Sequence, residues 1–264
     1  MKKRFTWILA IAAVFSAVSL FADKEKVLSA QSAASWAIPS GWQFDWTSGY
    51  LSARGAVNLC TNNSFKVYPD AEYELSGLFR TPGGQPDLTR FEFGFDPIDA
   101  NGNPIPPESV SCVTGTDSIL AAPVNIGDTA IRIRGNGTWH KNGHIAFQTN
   151  PSFSDLPNRN TAAYFNYGGT GEVMTLSLRN PMSRAYPAGT AVRNHNNQRL
   201  SIGSRLGKAP YEWTRFSARI KGVGLMGNIN NQWWPGTAQA KVFIQVPGNA
   251  ALDFKDVSVT RISE

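Results

Sequence analysis

Two acidic residues in a strand-like stretch could act as an acid and base pair. Glu92 and Asp96 lie in or directly after the alternating segment RFEFGF, so they share one side of the predicted strand. Two carboxylates about 5 to 10 Å apart are what glycoside hydrolysis requires. No paired motif such as E-x-D-x-x-E accompanies them. We therefore interpret them as solvent-facing charges and keep hydrolysis as an alternative.

A second group of side chains raises the question of polysaccharide cleavage by a lyase, which combines Tyr and His with Arg and Gln. The residues are His140, His144, Arg132, Arg134 and Gln148. The segment from His140 to His144 contains Gly143 and lacks the Glu of a helical zinc site. We therefore expect both histidines to lie at the surface. A lyase would be favoured if one of these histidines met Arg132 and Tyr164 in one cleft.

Aromatic side chains in loops could bind sugars, because flat rings stack on pyranose faces while polar groups bond the hydroxyls. The predicted ligand contacts are Trp233, Trp234, Tyr164, Tyr167, Arg132 and Arg134. Adjacent tryptophans in a strand face opposite ways, so at most one of Trp233 and Trp234 is expected in the core. The polar loop Asn158, Arg159 and Asn160 fits either ligand contact or a turn.

The N-terminus predicts export. Lys2, Lys3 and Arg4 precede an apolar run that ends near Ala22, which is typical of a signal peptide over 1–22; an uncleaved anchor is the alternative. These three are the only charged residues of the segment, so the formal charge of +6 falls to +3 in the mature chain. We expect a secreted, periplasmic or surface protein with no membrane span in its mature chain. No basic run indicates a nucleic-acid partner.

Cys60 and Cys112 are the only two cysteines. In an oxidising compartment an even pair can form one disulfide, worth about 4 kcal/mol for a loop of roughly 50 residues. Two buried thiols are the alternative.

The clearest strand is Tyr73 to Arg80, which follows the turn signal Pro69-Asp70 and alternates apolar with other residues. The chain contains further short alternating stretches, together with 24 Gly, 16 Pro and 8 Trp. This combination indicates an all-β chain with many turns. We predict a polar leader or short helix over 23–35 and a single β domain over 36–264. An elaborated segment spans about 96–206, with a long loop over 150–171. The prediction also includes a strand at 42–46, another at 105–113, and core positions for Trp139 and Trp213.

Three stretches carry a family resemblance: YELSGLFR from Tyr73, WTRFS from Trp213 and LDFKDVSV from Leu252. Together they resemble secreted jelly-roll, galactose-binding-like carbohydrate-binding modules of the family 4, 9, 16 and 22 type. Lys255 departs from the usual pair of aspartates in the last stretch. The resemblance implies an antiparallel β-sandwich of jelly-roll type with long loop insertions. It also implies that Asp256 helps to bind a structural Ca²⁺, unless this residue only caps a turn or faces solvent.

We predict from these features an exported, non-catalytic protein that binds a glycan or polysaccharide by aromatic stacking and polar loop contacts. The first alternative is a jelly-roll lyase or glycoside hydrolase. The second is a structural or adhesive surface protein, which is favoured if the aromatic side chains prove wholly buried.

Overall fold

The fold is built almost entirely from antiparallel strands. A computed structural model describes residues 24–38, 49–135, 138–169, 171–227, 229, 231–248 and 250–262. Its strands are β1 (Lys24–Ala30), β2 (Trp36–Ala37), β3 (Leu51–Arg54), β4 (Val57–Thr61), β5 (Phe65–Lys66), β6 (Glu72–Arg80), β7 (Arg90–Ile98), β8 (Ser118–Ile119), β9 (Ala130–Arg134), β10 (Gly143–Phe147), β11 (Thr161–Gly168), β12 (Val173–Leu178), β13 (Ala191–His195), β14 (Leu200–Lys208), β15 (Thr214–Ile220), β16 (Gln239–Val246) and β17 (Ala251–Ile262). Two 3-10 helices occupy Ala33–Ser35 and Pro107–Ser109, and no described helix is long and apolar enough to cross a bilayer.

Two of the sheets form a sandwich. The first sheet has the order β1-β17-β6-β15, with β3 also paired to β17, and the second has the order β14-β7-β16-β4-β2, with β5 paired to β16. From β14 onwards successive strands alternate between the second and the first sheet, as in a jelly roll. The predicted all-β, antiparallel sandwich is therefore confirmed.

The Tyr73 strand lies at the centre of the first sheet as β6. Tyr73, Leu75 and Phe79 are wholly buried, and they face the second sheet because alternate side chains of a strand point to one side. The Tyr73 hydroxyl accepts a hydrogen bond from Tyr68 N at 2.8 Å and donates to Lys66 O at 3.3 Å. The ring thus packs in the core while its polar end bonds the preceding turn.

The segment between β7 and β14 forms a unit of its own. Its six strands have the order β8-β13-β10-β11-β12-β9 and surround a separate apolar cluster that includes Trp139, Ile145 and Leu176. Leu120, next to β8, bridges to Ile133 of β9, and Ala121 N donates to Arg132 O at 2.9 Å. These contacts join the first and last strands, so the sheet closes into a small barrel.

Several local predictions are wrong. Lys24–Ala30, predicted as a leader, is strand β1 with Leu28 and Ala30 buried, because its backbone pairs with β17. The predicted loop over 150–171 contains β11, and Pro107–Ser109 is a 3-10 helix where a strand was expected. The signal segment 1–22 and the predicted strand at 42–46 lie outside the described residues.

Candidate functional site

Polar side chains collect on the outer face of the second sheet. Phe91, Phe93 and Phe95 of β7 are buried in the sandwich, so Glu92 and Asp96 on the alternate positions face outwards. Neighbouring strands place Asn58 and Gln245 opposite each other on the same outer face. The segment that returns from the barrel, 196–199, crosses the edge of this face before β14 begins.

Arg199 is the centre of this polar face. Its Nη2 donates to Asp96 Oδ1 at 2.6 Å and Oδ2 at 2.7 Å, and its Nη1 donates to Asn58 Oδ1 at 2.7 Å and Gln245 Oε1 at 3.0 Å. The guanidinium carbon lies 3.6 Å from the centroid of the Phe243 ring, which is a cation–π contact. These contacts hold the guanidinium in one orientation.

An open groove of about 510 Å³ lies beside Arg199. We call it the amide groove, and it is lined by Glu92, Asn196, Asn197, Gln198, Arg199, Arg205, Leu206 and Gln245. A second hollow of about 270 Å³ shares Gln198, Arg199 and Arg205 with it. Arg205 Nη2 donates to Gln198 Oε1 at 2.8 Å, which orders the outer wall of the groove. The groove offers both donors and acceptors, which is what recognition of hydroxyl groups requires.

The two carboxylates of this face are separated by protein backbone. Four residues of strand place the Cα atoms of Glu92 and Asp96 about 13 Å apart. Gly94 lies between them, and a Cβ atom added there would be 2.0 Å from Leu200 O, so the backbone of β14 crosses the space between the carboxylates. Glu92 accepts a hydrogen bond from Ser201 Oγ. A sugar ring has no room between them, and this arrangement does not fit the paired acid and base of a hydrolase.

The burial of Trp233 and Trp234 contradicts the prediction that one of them stacks on a glycan. Their exposed fractions are 0% and 1%. Trp233 packs with Tyr73, Phe65 and Phe95 at centroid distances of 5.6, 6.2 and 4.8 Å, and Trp234 Nε1 donates to Gly227 O at 2.9 Å. Both rings complete the sandwich core because their loop folds back over its open end, and no ring face is left for a ligand.

The side chains proposed for a lyase do not meet in one cleft. Tyr164 is wholly buried in the barrel, where its hydroxyl donates to His140 O at 2.9 Å and accepts from Asn194 Nδ2 at 2.8 Å. Arg132 and Arg134 point outwards from β9, because the buried Ile131 and Ile133 occupy the inner positions. The half-buried Tyr167 packs against the barrel core. The other four predicted ligand contacts, Tyr164, Tyr167, Arg132 and Arg134, are thus divided between the interior and the exterior of the barrel.

Trp213 is on the outer face of the first sheet, so its predicted core position is wrong, whereas Trp139 is buried in the barrel. The Arg80 guanidinium carbon and the Lys255 ammonium nitrogen lie 4.6 and 4.5 Å from Trp213 ring centroids. Arg80 Nε also donates to the buried Asp253 carboxylate at 2.9 Å. Two cations therefore lie over the Trp213 ring on the outer face of the sheet.

The predicted disulfide is absent, since Cys60 and Cys112 are both thiols. Cys60 pairs with Phe243 in the second sheet, while Cys112 is buried beside His195, with Sγ 3.4 Å from the imidazole Nε2. Burial raises the pKa of both thiols, and that of Cys112 reaches about 12. The two residues belong to different structural units, which explains why they do not pair although an even number of cysteines suggested a disulfide.

Asp256, which the resemblance assigns to a structural Ca²⁺ site, lies on an exposed part of the last strand. It occupies a β-bulge of β17 with φ at 54°, and its side chain is exposed. Ca²⁺ takes six to eight oxygen ligands. Among the residues that the structure describes, no group of three or more Asp, Glu, His or Cys side chains could hold a metal ion. Calcium binding stays a prediction from the family resemblance alone.

A buried polar network lies where the barrel joins the sandwich. Arg193 Nη2 donates to Asp155 Oδ2 at 2.9 Å, and Arg193 Nε donates to His195 Nε2 at 3.2 Å. His195 Nδ1 is 2.7 Å from Glu108 O, which can only accept, so Nδ1 carries the proton of a neutral imidazole. Burial lowers the pKa of His195 to about 4. The hydrogen bond to the Glu108 carbonyl raises this pKa, and the positive charge of Arg193 lowers it further.

Apart from Glu92, sequence reasoning missed the residues that line the amide groove. Four of them form a polar run directly before β14, namely Asn196, Asn197, Gln198 and Arg199. This polar run was the sequence signal that could have indicated a binding groove. Its position over the outer face of β7, however, depends on the path of the chain after the barrel.

Comparison with known proteins does not assign this chain to a family. No family model matches the sequence, and no curated protein matches it. Among solved structures, the CBM22-1 xylan-binding domain of Paenibacillus barcinonensis Xyn10C is similar with a TM-score of 0.37 and 8% identity, over 91% of this chain and 96% of that chain. The CBM22-1-GH10 modules of Clostridium thermocellum endo-1,4-beta-D-xylanase 10B, complexed with xylohexaose, give a TM-score of 0.26 and 10% identity, over 89% and 28%. At these scores neither similarity carries an argument about function.

Proposed function

We propose that this chain is an exported, non-catalytic glycan-binding protein whose site is the amide groove. The observation that supports this proposal most directly is the convergence of Gln198, Gln245, Arg199 and Glu92 on one open groove. Amides, carboxylates and guanidiniums together bond the hydroxyl groups that dominate a sugar surface. The groove also lies between an inserted unit and a sheet face, a common place for ligand sites.

The mode of binding differs from the predicted aromatic stacking. Phe243 is the aromatic ring beneath the groove, and the Arg199 guanidinium covers it. Hydrogen bonding to an ordered array is therefore the proposed source of affinity, with Leu206 as the exposed apolar contact. Binding through such contacts alone is expected to be weak for each sugar unit and stronger for a polymer.

A glycan-array screen of the chain without residues 1–22, paired with analysis of reaction products, tests this proposal. We expect binding without cleavage, and we expect Arg205→Gln and Gln198→Ala to weaken it about tenfold each, because each removes a charged or polar hydrogen bond. Arg215→Gln, on the exposed first sheet, is the matched control. The absence of binding to every glycan, or equal binding by all variants, would contradict the proposal.

A structural or adhesive surface protein is the second candidate function. The complete burial of Trp233, Trp234 and Tyr164 favours it, since these were the predicted sugar-stacking groups. This candidate predicts that the chain binds no glycan on the array. It also predicts that the folded chain self-associates or adheres to cell surfaces. The array result therefore separates the two candidates.

A further inference from the structure

The barrel carries a pocket that is separate from the amide groove. It has a volume of about 300 Å³ and lies between the start of β11 and the loop that follows β12. Its apolar floor includes Phe147 and Tyr186, whose rings are stacked with centroids 4.2 Å apart and planes at 6°. A pocket of this size is at the small end of ligand sites and matches one sugar-sized molecule.

Two arginines at this pocket keep unused donors. Arg159 Nη2 donates to Asp99 Oδ2 at 2.9 Å and to Pro104 O at 3.0 Å, and Arg184 Nη1 donates to Asn160 Oδ1 at 2.6 Å. Within the described part of the chain, the other guanidinium nitrogens of Arg159 and Arg184 have no hydrogen-bond partner. The bonds that do exist fix the position of both side chains at the rim.

The lining has no acidic side chain. It combines the two arginines with amide and hydroxyl groups and with small apolar walls, and its members are Phe147, Arg159, Asn160, Thr161, Ala162, Ala163, Asn180, Pro181, Met182, Ser183, Arg184 and Tyr186. The charge of Arg159 is balanced by Asp99, whereas Arg184 bonds only the neutral Asn160 among the described residues. The pocket is therefore positive, and a carboxylate would complete it, since a guanidinium binds a carboxylate through two parallel hydrogen bonds.

We propose that this pocket binds the carboxylated sugar unit, a uronic acid, of an acidic glycan. The carboxylate would pair with Arg184 at the rim, the hydroxyls would bond Asn160, Asn180 and Ser183, and the ring would lie against the apolar floor. The inference rests on the proposed function for the class of ligand, but it concerns a different site. The barrel would thus add selectivity for acidic glycans to the binding provided by the amide groove.

Calorimetry with the chain lacking residues 1–22 tests the inference, using a uronate-containing oligosaccharide and the same oligosaccharide after reduction of its carboxyl groups. We expect the acidic form to bind about tenfold or more tightly than the reduced form, and Arg184→Gln to abolish this difference, because the charged pair is lost. Arg215→Gln should preserve it. Equal affinity for the two oligosaccharides, or an unchanged preference in Arg184→Gln, would overturn the inference.

Two further measurements keep the two proposals distinguishable. Binding of a free uronate monosaccharide, followed by NMR shifts of the pocket residues, should persist in Arg205→Gln, because this variant alters only the amide groove. Conversely, Arg184→Gln should keep full affinity for neutral glycans. Inorganic phosphate is the competing anion: displacement of the monosaccharide by phosphate at equal concentration would overturn the assignment to a uronic acid and indicate an unselective anion pocket.

Discussion

Arg193 Nε donates a hydrogen bond to His195 Nε2 across 3.2 Å, and both side chains are wholly buried. A neutral imidazole accepts this bond, whereas a protonated one would bring two positive charges into contact. Arg193 also stacks near the Phe153 ring, at 4.8 Å, and bonds Asp155, so the network closes the end of the barrel next to the sandwich. The stability of this junction therefore depends on the protonation state of His195.

We predict that the protein loses stability as the pH falls from about 6.5 to 4. The unfolded imidazole takes up a proton near pH 6.5, but the pKa in the folded state is about 4, so the unfolded state binds more protons in this range. The loss amounts to about 3 kcal/mol at the lower limit. Urea unfolding at several pH values measures it. His195→Gln is the comparison, and an identical pH dependence in that variant would contradict the role of His195.

Asp155 is predicted to be the main counter-charge of Arg193. Burial raises the pKa of Asp155, but hydrogen bonds from Asn158 and Asn150 and the charge of Arg193 outweigh it, and the net shift is downwards. Asp155→Asn leaves a buried guanidinium with a weaker partner and should cost about 3 kcal/mol or more. Asp117→Asn, whose half-exposed carboxylate is 3.6 Å from Arg193, should cost less than about 1 kcal/mol. Equal losses of unfolding free energy would refute this ranking.

Gly94 is predicted to be essential to the path of β14 over the second sheet. A Cβ atom at this position would lie 2.0 Å from Leu200 O and 2.8 Å from Ser201 Cα, and backbone atoms cannot move aside as a flexible side chain would. Gly94→Ala should destabilise the protein by about 2 kcal/mol or more and alter the amide groove. Gly83→Ala, where no atom lies within 4 Å, is the control. Thermal unfolding and NMR shifts of the groove residues measure both effects.

The absence of a disulfide gives a chemical prediction. Two thiols per chain should titrate with Ellman's reagent after denaturation without reductant. In the native state Cys112 should react far more slowly than the partly exposed Cys60, because it is buried and its pKa is raised to about 12. Cys60→Ser leaves only the slow thiol and assigns the two rates. Failure to detect thiols in the denatured chain would show that the cysteines are bridged.

Local patterns in the sequence were sufficient to identify an all-β chain, and the family resemblance implied the sandwich. The alternation of Tyr73, Leu75 and Phe79 predicted β6 correctly, because a half-buried strand must place apolar residues at every second position. The same reasoning identified β7 as a strand from the alternating segment RFEFGF. These features depend on neighbouring residues alone, so they are readable without knowledge of the tertiary fold.

The site depended on contacts between residues that are distant in the chain. Trp233 looked like a loop aromatic, yet its ring fills the core beside Phe95, over 130 positions earlier in the sequence. Arg199 meets Asn58 and Asp96 only because the barrel returns the chain to the outer face of the second sheet. Likewise, the closure of β8 onto β9 turned a predicted loop-rich insertion into a barrel with its own core. The sequence by itself determined the all-β class and the strands with clear alternation, β6 and β7, because alternation depends only on neighbouring residues. Tertiary packing decided which polar groups face a common groove and which aromatic side chains are hidden, because these depend on residues that are distant in the chain.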